Sequence, residues 1–112
     1  MRVEGGSMAP TLRHGELVLV NRRAYRQRVP RRGELVAARP WACAGRAVVK
    51  RITGTPADDV AIGGRSWHLG EDEFFLLGDR AEESHDSRRF GPVSRRELIG
   101  RVGLRLWPWR VF

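Results

Sequence analysis

The sequence predicts a mainly β fold of short, mostly antiparallel strands with at most one short helix. Three observations predict it. The longest apolar runs, Leu17 to Val20 and Phe74 to Leu77, are only four residues each. Glycine, proline and charged residues divide such runs throughout the chain, and no long stretch carries helical spacing. Many short strands without a βαβ rhythm favour a small closed or partly closed β architecture.

Taken in order, Leu17 to Val20 follows Gly15-Glu16 and Leu35 to Ala38 follows Gly33-Glu34, so each reads as a buried strand entered from a turn. Ala47 to Gly54 is a further strand, whose alternation puts Val48, Lys50 and Ile52 on one face and Val49, Arg51 and Thr53 on the other. Val60 to Ile62 and Ser66 to Leu69 flank Gly63-Gly64-Arg65 and form a hairpin. Phe74 to Leu77 is another strand. Val102, Leu104 and Leu106 alternate with Arg101, Gly103 and Arg105, as in a half-buried strand. The one helical candidate is Ser94 to Ile99, where Ser94 caps a single turn with Glu97 in a capping box.

With 112 residues, the chain suits one domain spanning 1–112. No run approaches the roughly 18 apolar residues of a membrane span, and Met1 to Gly6 lacks the apolar core of a secretory signal. The expectation is a chain without a transmembrane anchor, cytoplasmic or peripheral at a membrane. Cys43 is the only cysteine and His14, His68 and His85 lie scattered, so neither a disulfide nor a metal site is expected, and no cofactor.

Twenty-one basic against 13 acidic side chains give a net charge of +8, and every basic residue but Lys50 is arginine. Arginine stays charged at any accessible pH, whereas a buried lysine amine can become neutral and act as a base. Six arginines fall between Arg22 and Arg32, around Tyr25 and Pro30, in a segment without apolar period. It reads as an exposed loop, either simply solvated or facing an anionic surface. Trp107, beside a predicted strand, is expected to close the base of the barrel. For Trp109 and Phe112, closing the barrel and dipping into lipid headgroups remain equal alternatives.

Three segments carry candidate chemistry. Gly5-Gly6-Ser7-Met8-Ala9-Pro10-Thr11-Leu12 presents a serine after bare backbone, where another chain can approach closely. In Val48-Val49-Lys50-Arg51, Lys50 points with the apolar side chains, and desolvation drives its amine toward the neutral form that a general base needs. Leu77-Gly78-Asp79 through Ser84-His85-Asp86-Ser87-Arg88 to Phe90-Gly91 is an ordered polar loop in which carboxylates and arginine brace one another. Ser84-His85-Asp86 is not a triad, since adjacent residues cannot fold onto one another in that geometry.

In this order the segments resemble the type I signal peptidases, including mitochondrial inner-membrane peptidases and small maturation peptidases for nickel superoxide dismutase. The matching pattern stands at Gly6 to Leu12, Arg32 to Val36, Val48 to Arg51 and Leu77 to Gly91. The resemblance implies a signal-peptidase-like catalytic β fold and a serine endopeptidase with a Ser-Lys dyad, in which Ser7 is the nucleophile and Lys50 the general base. It further implies that Ser84 orients Lys50, that Asp79, Asp86 and Arg88 brace the loop, and that the Ser7 backbone N–H serves the oxyanion. The implied partner is a precursor protein with an N-terminal leader, bound as an extended peptide. Peripheral contact with an anionic membrane is a further possible partnership, and no nucleic acid is expected.

Three positions depart from the pattern. Gly5 replaces the hydroxyl that some members use as a second oxyanion donor, and Arg80 replaces the usual asparagine after Gly-Asp. Only six residues precede Ser7, where members normally carry a membrane anchor. A soluble maturation peptidase for one dedicated precursor is the alternative within the enzyme class. A basic β-barrel module for single-stranded nucleic acid fits the charge equally, but leaves the ordered Ser7, Lys50 and Ser84 segments unexplained.

Overall fold

A computed structural model describes all residues 1–112. The strands are β1 (Leu17–Asn21), β2 (Leu35–Ala38), β3 (Val48–Gly54), β4 (Asp59–Ile62), β5 (Arg65–His68), β6 (Glu73–Leu77), β7 (Val93–Ser94), β8 (Leu98–Trp107) and β9 (Trp109–Val111). They form an antiparallel sheet in the order β1-β8-β2-β3-β6-β7, with β9 beside β8, and a separate β4-β5 hairpin. The fold is therefore mainly β, and the hairpin turns at Gly63-Gly64, both at positive φ, the combination a tight two-residue turn demands.

Strand β2 is short and wholly apolar because it is buried on both faces. All four residues of β2 are buried. Leu35 and Ala37 join Val3, Met8, Leu12, Val18, Val49 and Val102 in one core. Val36 and Ala38 join Ile52, Phe74, Leu76 and Val93 in a second core on the opposite face. Period-two alternation thus feeds two cores from one strand. Lys50 lies opposite Val36 in the register and is itself buried.

Two expectations need correction. The helical candidate Ser94 to Ile99 keeps its single capped turn but over a shorter range. The Glu97 carboxylate does accept from the Ser94 backbone N–H at 3.2 Å and from its hydroxyl at 3.1 Å, but the turn is a 3-10 turn over Arg95–Glu97. From Leu98 the chain is extended into β8, because pairing with β2 claims it. The one α-helix, α1, is Ser87–Phe90, capped by the Asp86 side chain. Trp107 does not close the barrel. It is 72% exposed, although it pairs with Leu17 of β1, at the end of β8 just before the turn through Pro108 into β9. Trp109 is also exposed, whereas Phe112 packs against the first core. The Arg22–Arg32 loop is largely exposed, yet Tyr25 packs on the second core and Arg28 binds the Glu34 carboxylate at 2.5 Å. No helix is long and apolar enough to cross a membrane.

Candidate active site

Residues from three distant segments meet at the C-terminal side of the first core. Met8 is buried in that core, which fixes the preceding Ser7 at the mouth of a cleft of about 420 Å³. Lys50 reaches the same point from β3. Its Nζ lies 2.9 Å from Ser7 Oγ and 3.2 Å from Ser84 Oγ. Only 4% of Lys50 is exposed. Burial pushes its amine below the ordinary lysine range, against an upward pull from the Asp86 charge.

Ser84 is aimed by what lies behind it. Its hydroxyl donates to Asp86 Oδ2 at 2.5 Å, so its lone pairs turn toward Lys50. Asp86 is fully buried and also accepts from Gly78 N at 2.9 Å, from Arg88 Nη2 at 2.6 Å and from Arg88 Nε at 3.0 Å. Burial alone would raise its carboxyl pKa. The hydrogen bonds from Arg88, Ser84 and the backbone outweigh that, and Asp86 is held below the usual carboxylate range. Gly78 is needed where it stands, because a Cβ there would lie 2.2 Å from Ser84 Oγ and 2.7 Å from the Ser7 carbonyl oxygen.

Asp79 ties the polar loop to its neighbours. It accepts from Arg51 Nε and Nη2, both at 2.8 Å, and from the Thr11 hydroxyl at 2.6 Å. The paired Arg51 guanidinium is the main reason its carboxyl is held low. Arg80, at the departure from the expected asparagine, uses its backbone N–H to donate to the Ser7 carbonyl at 2.8 Å. The structure therefore brings together all six candidates, Ser7, Lys50, Ser84, Asp79, Asp86 and Arg88. His85, between Ser84 and Asp86, turns its ring edge-on to Phe90 instead.

The cleft has an apolar wall of Met1, Val3, Met8, Val48 and Val49, with Ala42, Cys43 and Ala44 beside it and Glu83 and His85 at its rim. The turn Trp41–Cys43 was not singled out by sequence reasoning, although its alanines are the small residues that leave room there. β6 pairs only with Arg51, Ile52 and Gly54 of β3. The edge of Val48 to Lys50 that faces away from β2 thus lacks a strand partner, beside Ser7. No group of three metal-ligating side chains converges anywhere in the chain. A lysine amine under apolar burial, in contact with a serine hydroxyl, is an arrangement able to remove the hydroxyl proton.

A β fold with a buried lysine set against a loop serine defines the class, and comparison with known proteins specifies it. The signal peptidase, peptidase S26 family matches residues 1–68 and 63–107, and the chain belongs to that family. It is 28% identical to a protein named probable signal peptidase I-2 of Synechocystis sp., over 95% of this chain and 62% of that protein. It is 30% identical to signal peptidase I of Leptolyngbya laminosa, over 91% of this chain and 65% of the relative. With the mitochondrial ATP-independent inner membrane protease subunit 1b of Arabidopsis thaliana it shares 32% identity, over 96% and 69%. The chain spans about two thirds or less of the length of the first two relatives.

Proposed function

We propose that this chain is a serine endopeptidase that removes N-terminal leader or signal peptides from precursor proteins by a Ser7-Lys50 dyad. The observation that carries the reading is the 2.9 Å contact between Ser7 Oγ and a buried Lys50 Nζ. Neutral Lys50 takes the hydroxyl proton as Ser7 Oγ attacks the scissile carbonyl. The Ser7 backbone N–H holds the oxyanion, and a well-placed donor of this kind contributes about 3 kcal/mol in the transition state. The protonated lysine then gives its proton to the leaving amine, and the acyl-Ser7 ester is hydrolysed by water that Lys50 activates. Ser84 orients the amine, while Asp79, Asp86 and Arg88 hold the loop.

The substrate lies extended along the unpaired edge of Val48 to Lys50 and adds a strand to β3. The walls formed by Met8, Val3 and Ala42 to Ala44 admit small side chains before the cut. Membership of the family and the names of the relatives support this substrate class. The test is cleavage of a leader-bearing precursor with an Ala-x-Ala site by wild type, Ser7→Ala and Lys50→Arg. Cleavage lost in both variants supports the dyad, and retained activity in Lys50→Arg overturns it. Activity confined to one dedicated precursor would favour the maturation peptidase. No cleavage, with salt-sensitive nucleic-acid binding indifferent to Ser7→Ala, would favour the binding module.

The proposal includes peripheral attachment to an anionic lipid surface. Leu19 pairs with Leu104, Leu104 with Val111, and Leu106 with Trp109, so these side chains share one sheet face. Leu19, Leu106, Trp109 and Val111 are 44–69% exposed there. Trp107 stands at the tip, and exposed Arg22 and Arg23 follow the far end of β1. Tryptophans at headgroup depth with arginines at the rim suit an anionic bilayer, each arginine adding about 1 kcal/mol. Sedimentation with vesicles of phosphatidylglycerol, compared with phosphatidylcholine, tests it. Equal binding to neither, with self-association in their absence, would assign the face to a second copy instead.

A further inference from the structure

We propose that His14, which lies outside every matching motif, is a positioning residue for the nucleophile. Its Nδ1 accepts the backbone N–H of Gly5 at 2.9 Å. The inference rests on the reading of Ser7 as nucleophile and adds to it a side chain that holds the Ser7 loop in place.

Beyond Val3, Glu4 pairs with Arg46 at 3.7 Å and Gly6 O accepts from Ala9 N at 3.1 Å, but the backbone ladder itself ends at Val3. There Val3 N donates to Glu16 O and Gly15 N donates to Val3 O, both at 2.8 Å, as between two antiparallel strands. Beyond Val3 the chain runs through Glu4 into Gly5 and Gly6, the pair with the largest backbone freedom to lose. Gly5 sits at φ +76, with open space where a side chain would begin, a left-handed conformation that glycine adopts at little cost. The His14 ring supplies a restraint there. It extends the Val3 to Glu16 ladder by one side-chain rung toward Ser7, from the residue next to Gly15. On the far side of Ser7, its carbonyl is fixed by Arg80 N. The Gly6–Ser7 peptide, whose N–H is the oxyanion donor, is thereby held from both ends. Small displacements of a reacting group lower rates steeply, which is why a single exposed hydrogen bond here bears on turnover.

The geometry also fixes the chemical state of the ring. A backbone N–H only donates, so Nδ1 must be unprotonated and the neutral ring carries its hydrogen on Nε2. The charged groups on the segments around the ring are Arg2, whose guanidinium donates to Gly15 O, Glu4 on the loop itself, Arg13, and Glu16, which binds Arg105.

The experiment pairs nuclear magnetic resonance of the whole chain with steady-state cleavage, in wild type, His14→Leu and His14→Asn. Asn offers an acceptor one bond beyond Cγ, where Nδ1 stands. In wild type a coupling across the hydrogen bond links the Gly5 amide to His14 Nδ1, and in His14→Leu the Gly5 amide resonance shifts to that of an unbonded amide. His14→Leu lowers kcat about fivefold with KM little changed, and His14→Asn restores most of it. A Gly5 amide unaffected by His14→Leu, or Leu and Asn variants with equal kcat, overturns the inference. Cleavage that persists in Ser7→Ala would instead overturn the function on which it rests, while the Gly5 resonance still decides the hydrogen bond.

Discussion

The polar loop from Gly78 to Phe90 and the hairpin of β8 and β9 solve opposite problems. The loop buries a carboxylate, two hydroxyls and a lysine amine, and each of them finds its partners within the chain. Asp86 alone accepts from Ser84, Gly78 and Arg88, and the Ser87 hydroxyl accepts from Leu76 N at 2.9 Å. The hairpin does the reverse. It leaves Trp107, Trp109 and Val111 each more than 65% exposed, with no element of the fold to cover them. Buried polar groups must be satisfied internally, at a cost of about 1–3 kcal/mol for each one left unpaired. Exposed apolar groups are tolerated where something outside the chain covers them. The loop is complete by itself, and the hairpin leaves an apolar face open.

That contrast can be broken at several points. The largest effect belongs to Ser7→Ala and Lys50→Arg, which lower kcat/KM at least about 10³-fold while vesicle binding stays unchanged. Lipid binding lost along with activity would mean that the two regions are one unit. Next is Asp86→Asn, which strips the charge from a buried hub facing Arg88. It costs about 3 kcal/mol of stability in thermal unfolding and about 100-fold in kcat, because Ser84 loses its aim. An unchanged melting temperature would show that the loop is braced elsewhere.

Lys50→Met separates stability from chemistry. Burial lowers the lysine pKa in the folded state, so the unfolded chain binds the proton more readily. Stability of the wild type then rises with pH, and the deficit disappears only above the unfolded lysine pKa of about 10.4. Replacing the amine with a methyl thioether removes the deficit at neutral pH, stabilising the inactive variant by about 1 kcal/mol. Denaturation curves across pH check both the sign and its loss at high pH. The smallest effect is that of Trp107→Ser with Trp109→Ser. Affinity for anionic vesicles falls about tenfold, read by co-sedimentation, while cleavage of a soluble peptide persists.

Legibility in the sequence follows the same division. Short apolar runs announce strands buried on both faces, as β2 is, or on one, as β1 is with Leu19 52% exposed, so the sequence predicts β1, β2, β3 and β6 within a residue or so of their bounds. The Gly63-Gly64 turn fixed the β4-β5 hairpin in the same way. Elements set by tertiary pairing were less visible. Nothing local in Leu98 to Gly100 distinguishes a helical turn from a strand start, and pairing with β2 decides it. Helix α1 had a signal that was passed over, with Asp86 as its cap and Gly91-Pro92 as its stop. Trp107 lies outside the barrel, which the sequence does not show because alternation predicts a face but not whether another layer covers it, even where the strand is paired, as Trp107 is with Leu17. The site residues were legible through motif order and through the single lysine. The Gly5 contact of His14 was not, since nine residues of separation through a turn leave no local pattern.

The most direct test of the Ser7-Lys50 chemistry is to trap the acyl-enzyme. Wild type mixed with an activated Ala-x-Ala ester and quenched early should gain the acyl mass, and digestion should place it on the peptide that contains Ser7. The adduct should form faster as pH rises through the lowered Lys50 range, and should be absent in Ser7→Ala. An adduct on any other residue, or turnover that survives Ser7→Ala, would contradict the account.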